Sequence, residues 1–150
     1  MMVARAEAIG STRLDWLTLV HPHASVGVGV EIGEGTCAAP GSIITTRSRI
    51  GRHCILNVKA SVSHDVTLGD YVNLNPGVVI AGNVHIGDGC YVGAGATVID
   101  RVRVGAGSVV GAGAVVIEDV PANATVVGVP ARVTKYHPAG WEPALVARRA

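Results

Sequence analysis

Apolar side chains recur at every sixth position over about two-thirds of the chain, and no insertion breaks the series. A second small or apolar residue stands two positions before most members of the series, as at Ala60 and Val66. Both residues can point inward from one short strand, so the pattern predicts a stack of short strands joined by tight turns. The seventeen members of the series are Val20, Val26, Ile32, Ala38, Ile44, Ile50, Leu56, Val62, Leu68, Leu74, Ile80, Ile86, Val92, Val98, Val104, Val110 and Val116.

A second period, of eighteen residues, lies over the first and is marked by glycine. The segments EIGEG, RIGRH, TLGDY, HIGDG and RVGAG place Gly33, Gly51, Gly69, Gly87 and Gly105 eighteen residues apart, so three six-residue sides make one coil. Glycine, asparagine or aspartate is also frequent three positions after the repeated aliphatic residue, and these residues tolerate the positive φ that a tight corner needs. The corner positions of this kind are Gly35, Gly41, Asp65, Gly77, Asn83, Gly89, Gly95, Gly107 and Gly113.

The two periods together resemble the hexapeptide repeat of left-handed parallel β-helix proteins. The resemblance implies an all-β fold, a left-handed parallel β-helix shaped as a three-sided prism, with coils over residues 20–119. We expect residues 1–19 to form a short N-terminal cap and residues 120–150 a C-terminal tail, because a solenoid exposes unpaired backbone at both ends. The segment EPALVARR, residues 142–149, predicts a short helix in that tail. One domain is expected in a chain of 150 residues.

The composition fits a narrow interior. Hydrophobic residues make up 49% of the chain, but aromatic residues only 3%, and phenylalanine is absent. The formal charge is +1 and there is no run of basic residues, so neither nucleic acid nor an anionic membrane is expected as a partner. The most apolar stretch, residues 109–117, is about half as long as a membrane span and is closed by Glu118 and Asp119.

The cysteines and the N-terminal sequence predict a cytoplasmic protein. Three cysteines occur without a CxxC pair, which is not typical of a disulfide framework or a zinc knuckle. Cys54 and Cys90 fall in an inward register and are predicted to be small buried side chains. The first residues, MMVARAEAIG, lack the cationic segment followed by an apolar segment that marks a secretory signal.

One imidazole and one carboxylate, His64 and Asp65, are adjacent in a segment otherwise rich in small aliphatic residues and glycine. His64 follows Val62 by two positions, which places it on the outside of a corner. Gly82 lies one coil above His64, and Arg47 one coil below Asp65. A glycine above the ring leaves room for a thioester carbonyl between a base and a backbone N–H. The alternative is a polar corner without a chemical role, because other histidines of the chain also occupy corners.

Two segments, the first of which includes this pair, are similar to a known enzyme family. SHDVTLGDYVNLNPGVVIAGNVHIGDGCYVGAGATV, residues 63–98, and VGAGAVVIEDVPANATVVGVPAR, residues 110–132, resemble the catalytic domain of the bacterial sialic acid O-acetyltransferase and nucleotide-amino-sugar N-acetyltransferase family. The resemblance implies that His64 is the general base and that Asp65 raises its basicity. It also implies that the backbone N–H of Gly82 faces the thioester oxygen.

The resemblance further implies an acetyl-CoA groove between neighbouring subunits. Ala94 and Ala112 match positions that line this groove, and Arg132 occupies a basic position for which contact with a CoA phosphate is the hypothesis. Asn73 stands where some relatives carry a second histidine. It can hydrogen-bond the cofactor or the acceptor but cannot act as a base, so the mechanism rests on His64. We expect a homotrimer, because a groove that buries a pantetheine arm is most easily made where two prisms meet.

The predicted function is direct transfer of the acetyl group from acetyl-CoA to an amine or hydroxyl of a sugar, nucleotide-linked or sialic acid-like. Neither a covalent intermediate nor a metal is needed. Members of the family usually begin with a nucleotide-binding α/β domain, whereas some eighteen residues precede the coils here. Either the prism alone holds the acceptor, or the sequence is part of a longer chain.

Three other functions stay open at this point. A non-sugar acceptor such as serine suits the same chemistry. A γ-class carbonic anhydrase would need two histidines five residues apart to help hold its metal, and that spacing is absent. A non-catalytic scaffold would leave the histidine and glycine column unused, and an ice-binding prism would need threonine ladders, whereas only Thr45 and Thr46 occur together.

Overall fold

The strands are short because each side of the prism holds two residues between turns. A computed structural model describes residues 16–138. Nineteen strands lie in that range, and the first seventeen are two residues long. No helix occurs between residues 16 and 138, so this part of the chain contains none long and apolar enough to cross a membrane. The strands are β1 (Leu19–Val20), β2 (Ser25–Val26), β3 (Glu31–Ile32), β4 (Cys37–Ala38), β5 (Ile43–Ile44), β6 (Arg49–Ile50), β7 (Ile55–Leu56), β8 (Ser61–Val62), β9 (Thr67–Leu68), β10 (Asn73–Leu74), β11 (Val79–Ile80), β12 (His85–Ile86), β13 (Tyr91–Val92), β14 (Thr97–Val98), β15 (Arg103–Val104), β16 (Val109–Val110), β17 (Val115–Val116), β18 (Ala124–Val127) and β19 (Arg132–Tyr136).

Three sheets form the sides of the prism. Sheet A contains β1, β4, β7, β10, β13, β16, β18 and β19, sheet B contains β2, β5, β8, β11, β14 and β17, and sheet C contains β3, β6, β9, β12 and β15. Each two-residue strand pairs in parallel with the strand one coil away, as Val62 pairs with Ile80. The chain passes through sheets A, B and C in turn, about six times. This architecture confirms the predicted left-handed parallel β-helix.

The core is one column of small aliphatic side chains along the prism axis. From Ile44 to Val116, every residue of the six-residue series is at most 3% exposed. The second inward register is buried as well, and Cys54 and Cys90 belong to it. In the lowest described coil, Val20 is 45% exposed because no described coil lies beneath it. The burial confirms both predicted inward registers.

The two cysteines of the core are neutral hydrogen-bond donors. The thiols of Cys54 and Cys90 contact the carbonyl oxygens of Gly69 and Gly105, each at 3.1 Å. Burial raises the pKa of both thiols to about 11. Both side chains are therefore protonated near neutral pH and satisfy glycine carbonyls instead of acting as nucleophiles.

The eighteen-residue glycine period has a steric cause. A Cβ built on Gly51 would lie 2.4 Å from the carbonyl oxygen of Gly69 one coil above. Successive coils therefore approach too closely at this position for a side chain. At Gly77 nothing lies within 4 Å of a built Cβ, but φ is +71°, so the requirement there is conformational. The predicted positive φ at the glycine, asparagine and aspartate corners is confirmed, and six other non-glycine residues share it: Arg47, His53, Lys59, Tyr71, Arg101 and Asn123.

Gly51→Ala is expected to destabilise the fold more than Gly77→Ala. The first substitution forces a methyl group against backbone of the next coil, which we expect to cost about 2–3 kcal/mol of unfolding free energy. The second adds a methyl group in open space and costs roughly 1 kcal/mol for the left-handed conformation. Urea unfolding of the two variants measures the difference. Equal losses would contradict the steric origin of the glycine period.

The coil closes at its upper end with a change of register. Asp119 Oδ1 accepts a hydrogen bond from the N–H of Arg103, and these residues are sixteen positions apart instead of eighteen. The same sixteen-residue step lets β18 pair in parallel with β16. β18 then pairs antiparallel with β19. The coil thus extends past the predicted end at residue 119, and part of the predicted tail is a β-hairpin. Residues 1–15 of the predicted cap and the predicted helix at 142–149 lie outside the described residues.

Candidate active site

The imidazole and carboxylate singled out in the sequence lie on the corner between sheets B and C. This B–C corner consists of the turns 45–48, 63–66, 81–84 and 99–102, which follow β5, β8, β11 and β14. His64 and Asp65 occupy the second of these turns. Asp65 has a φ of 58°, which turns the chain from one sheet to the next. The His64 side chain is 50% exposed and that of Asp65 32%. The pair therefore faces solvent, as the repeat predicts.

The Asp65 carboxylate binds two side chains at once. Its Oδ2 lies 2.8 Å from His64 Nδ1. Arg47, one coil below, donates from Nε to Oδ1 and from Nη2 to Oδ2, both at 2.8 Å. An ionised carboxylate only accepts hydrogen bonds, so Nδ1 of His64 carries the proton and Nε2 of the neutral ring presents its lone pair.

The charge of Arg47 keeps this carboxylate ionised. The Arg47 guanidinium, followed by the His64 ring, holds the pKa of Asp65 well below its ordinary value through hydrogen bonds. The same contact raises the pKa of Arg47. Asp65 is therefore a fixed acceptor at neutral pH. A fixed acceptor on Nδ1 leaves Nε2 as the ring atom that can take a proton from a substrate.

Gly82 lies directly over the imidazole. A Cβ built on Gly82 would be 2.7 Å from both Cε1 and Nε2 of His64, so the ring fits because this side chain is absent. The Asn83 N–H donates to the His64 carbonyl at 3.0 Å and links the two coils. Among the described residues, the Gly82 N–H has no acceptor within the chain. The corner thus holds a base, a carboxylate that orients it, and a free backbone donor.

Ala94 and Ala112 lie on a different corner from His64. They are exposed and stand one coil apart in the turns that lead from sheet A to sheet B, here called the A–B corner. The Ala94 carbonyl accepts a hydrogen bond from the Gly113 N–H at 2.9 Å, which stacks the two turns. Sheet B separates this corner from the B–C corner within one chain.

Asn73 and Arg132 also lie away from the B–C corner. Asn73 begins β10 in sheet A, and its Oδ1 accepts a hydrogen bond from Asn57 Nδ2 at 3.4 Å. Arg132 begins β19, with its Nη2 3.9 Å from Glu118 Oε1. The structure therefore brings together His64, Asp65 and Gly82 and leaves the other four predicted residues at separate places.

The other histidines lie on separate parts of the fold. Within residues 16–138, no three metal-ligating side chains meet. His53 is 9% exposed and stacks on Tyr71 with ring centroids 5.2 Å apart. His85 points outward from β12 in sheet C. In a single chain, the rings of His53, His64 and His85 therefore lie in different turns and strands.

Arg47 is the member of the B–C corner for which no role was predicted. The available signal was its position eighteen residues before Asp65, which stacks a cation directly under an anion. The two-pronged geometry of the contact depends on a side-chain conformation that residue spacing does not specify.

Residues 83–118 match the family model described as bacterial transferase hexapeptide, six repeats. This match identifies hexapeptide repeats within that part of the chain. Over 60 residues, the chain is 40% identical to the GDP-perosamine N-acetyltransferase of Escherichia coli O157:H7. That alignment covers 40% of the chain and 27% of the relative.

Two solved structures of similar proteins hold CoA or acetyl-CoA. A variant of GDP-perosamine N-acetyltransferase from Caulobacter crescentus, in complex with CoA and GDP-perosamine, is 36% identical with a TM-score of 0.83 over 89% of the chain. The acetyltransferase domain of PglB from Neisseria gonorrhoeae FA1090, in complex with acetyl coenzyme A, is 32% identical with a TM-score of 0.79 over 88% of the chain. The chain spans 62% and 63% of the lengths of these two structures.

Proposed function

We propose that this chain is an acetyltransferase domain that moves the acetyl group of acetyl-CoA to an amine or hydroxyl of a sugar. The observation that carries the proposal is the B–C corner itself, where His64 Nε2 has no hydrogen-bond partner among residues 16–138 and lies under the bare α-carbon of Gly82. The similarity to proteins crystallised with CoA and a nucleotide-linked amino sugar supports the donor and the class of acceptor.

In the proposed reaction, His64 is the base and no covalent intermediate forms. The acceptor nitrogen or oxygen attacks the acetyl carbon while Nε2 takes its proton, a step that typically contributes about 10²- to 10⁴-fold. Asp65 holds Nδ1–H and stabilises the imidazolium. The carbon–sulfur bond then breaks, and the imidazolium returns the proton so that CoA leaves as a thiol. The Gly82 N–H donates to the oxyanion, a contact worth roughly 10²- to 10³-fold in comparable enzymes.

The acceptor we propose is a nucleotide-linked amino sugar. The E. coli and C. crescentus relatives carry GDP-perosamine in their names, and perosamine presents a free amine. In the longer relatives, binding energy from a remote part of the acceptor can be used at the reacting centre. A second candidate, a smaller acceptor such as free sialic acid or serine, requires nothing more than the B–C corner.

A thiol-release assay tests the proposal. The purified chain is incubated with acetyl-CoA and, in turn, GDP-, UDP- and dTDP-amino sugars, free sialic acid and serine, with His64→Ala as the blank. We expect release with at least one nucleotide-linked amino sugar that exceeds the blank. Activity with serine alone would overturn the sugar acceptor, and no release with any acceptor would overturn acetyl transfer by this chain.

We further propose a homotrimer in which two subunits complete each site. The outward residues of the two-residue strands in sheets A and B are uncharged, whereas those of sheet C include charged side chains. Exposed apolar residues lie on the uncharged sheets, such as Ile43 and Val79 on sheet B at 44% and 43%. An uncharged face is what packs against a second prism. A neighbouring A–B corner would bring Ala94 and Ala112 to the acetyl-CoA groove, and we propose that Asn73 and Arg132 contact the bound ligands.

Light scattering is expected to give a mass about three times the 15.3 kDa of one chain. Val79→Arg places a charge on sheet B and is expected to lower both the mass and the acetyl-transfer rate. His85→Arg adds a charge at the matching outward position of sheet C and is expected to change neither. A fully active monomer at micromolar concentration would contradict the shared site, and an unchanged mass for Val79→Arg would contradict contact through sheet B.

A further inference from the structure

The Asp65 carboxylate is held by a guanidinium fork on the side opposite the imidazole. Arg47 fixes both carboxylate oxygens at 2.8 Å, and Oδ2 is shared between Nη2 of Arg47 and Nδ1 of His64. A two-pronged contact sets the plane of the carboxylate as well as its position. The direction in which Oδ2 meets the imidazole is therefore set from the coil below.

The anchoring of Arg47 itself is part of the fold. Its N–H donates to the Val28 carbonyl at 3.1 Å, and the Asp65 N–H donates to the Thr46 carbonyl at 3.0 Å. Arg47 and Asp65 both have left-handed φ values, 51° and 58°, at the same corner of consecutive coils. Two equivalent corner positions stack at the coil spacing of about 4.8 Å, so the two side chains leave the backbone side by side.

Other arginine–carboxylate pairs of the chain lack this relation to an imidazole. Arg49 contacts Glu31 at 3.1 Å and Arg52 contacts Glu34 at 2.8 Å, and all four side chains are 46–74% exposed. Exposed pairs of this kind contribute little to stability. Within residues 16–138, Asp65 is the carboxylate that an arginine and a histidine share.

We propose that Arg47 is a positioning residue for the His64 base: it locks Asp65 so that the carboxylate orients the imidazole, and it shares the carboxylate charge with the ring. The inference rests on the proposed acetyl transfer. Arg47 acts through Asp65, because its own contacts run to that carboxylate and to backbone.

The two parts of this role predict separable effects. Losing the fork lets the carboxylate rotate, so the imidazole is less well aligned and kcat falls. Losing the cation leaves Asp65 to stabilise the imidazolium alone, so a higher pH is needed to free the base. The charged or titratable groups on the turns of the B–C corner and on the adjoining strands of sheet C are Asp65, Arg47, Asp100, Arg101, Arg49 and His85, and the one in contact with the His64 ring is Asp65.

Three variants separate these effects in the full chain. Arg47→Met removes fork and charge, Arg47→Lys keeps the charge without the fork, and Arg49→Met is the matched control that breaks an exposed pair on the adjoining sheet. Acetyl transfer is measured as kcat and KM across pH 5 to 9. The imidazole titration of His64 is followed by NMR, with the resonance assigned by its loss in His64→Ala.

We expect Arg47→Met to lower the plateau kcat about tenfold and to move the acid limb of the profile up by about half a pH unit, with KM changed less than twofold. Arg47→Lys is expected to lower kcat with little movement of the acid limb, and Arg49→Met to match the wild type. The NMR midpoint is expected to move with the acid limb.

A rise in KM at constant kcat would overturn the inference, because Arg47 would then bind substrate directly. Identical behaviour of Arg47→Met and Arg49→Met would overturn it as well. Absence of turnover in the wild-type chain would defeat the proposed acetyl transfer instead. In that case the NMR arm still decides whether Arg47 controls the imidazole, since that measurement needs no acceptor.

Discussion

His64→Ala is expected to lower kcat for acetyl transfer by about 10²- to 10⁴-fold. In the proposed reaction the ring is the base, and its loss leaves only the Gly82 N–H and the alignment of the two substrates. The fold should persist, because the side chain is 50% exposed and takes no part in the aliphatic core. Steady-state kinetics and a thermal unfolding curve, recorded on the same preparation, measure the two quantities separately.

His85→Ala is the matched control for this variant. It removes another exposed imidazole, from the outward position of β12 in sheet C, and is expected to leave kcat within about twofold of the wild type. A His64→Ala protein with unchanged kcat would contradict the assignment of the base. A large loss in both variants would show that the effect comes from the prism as a whole and not from the B–C corner.

The sequence predicted the fold well because each coil repeats one simple packing problem. Buried positions such as Val62 and Ile80 recur at a fixed spacing, and a fixed spacing can be recognised in the sequence without knowledge of side-chain conformations. The same regularity placed His64 outside the prism and Gly82 one coil above it. The eighteen-residue glycine period that includes Gly51 could be recognised in the same way. Its steric cause, the close approach of the next coil, is visible only in the structure.

Features that depend on a break in the repeat or on a long side chain were not predictable in the same way. The step from Val104 to Val120 is shorter than eighteen residues, and a β-hairpin follows it. The sequence there no longer follows the period from which the other coils were predicted. The fork of Arg47 on Asp65 needs a particular conformation of a flexible side chain. By contrast, the placement of Ala94 on another corner, away from His64, follows from the three-sided geometry of the repeat.

Gly82→Ala tests the geometry of the corner more sharply than any loss of a charged group. The added Cβ would lie 2.7 Å from His64 Nε2 and Cε1, too close for the ring to stay where it is. The backbone at Gly82 does not adopt a positive φ, so alanine itself is tolerated there. The ring, which is half exposed, can swing outward, so we expect Tm to change little while Nε2 leaves its position beside the Asp65 contact.

The expected result for Gly82→Ala is a fall in kcat of about 10²-fold, the order of loss that a displacement of about 1 Å can cause. Alanine keeps the backbone N–H, so the loss would come from the displaced base and not from a missing oxyanion donor.

Asn83→Gly is the matched control, because it alters the same turn without adding atoms over the ring, and it should stay near the wild-type rate. In the double variant with His64→Ala, the glycine substitution should have almost no further effect, since the two changes act on the same ring. Additive losses in that cycle would show that Gly82 serves the reaction by another route, and an active Gly82→Ala would mean that the imidazole does not work from the position it occupies in this structure.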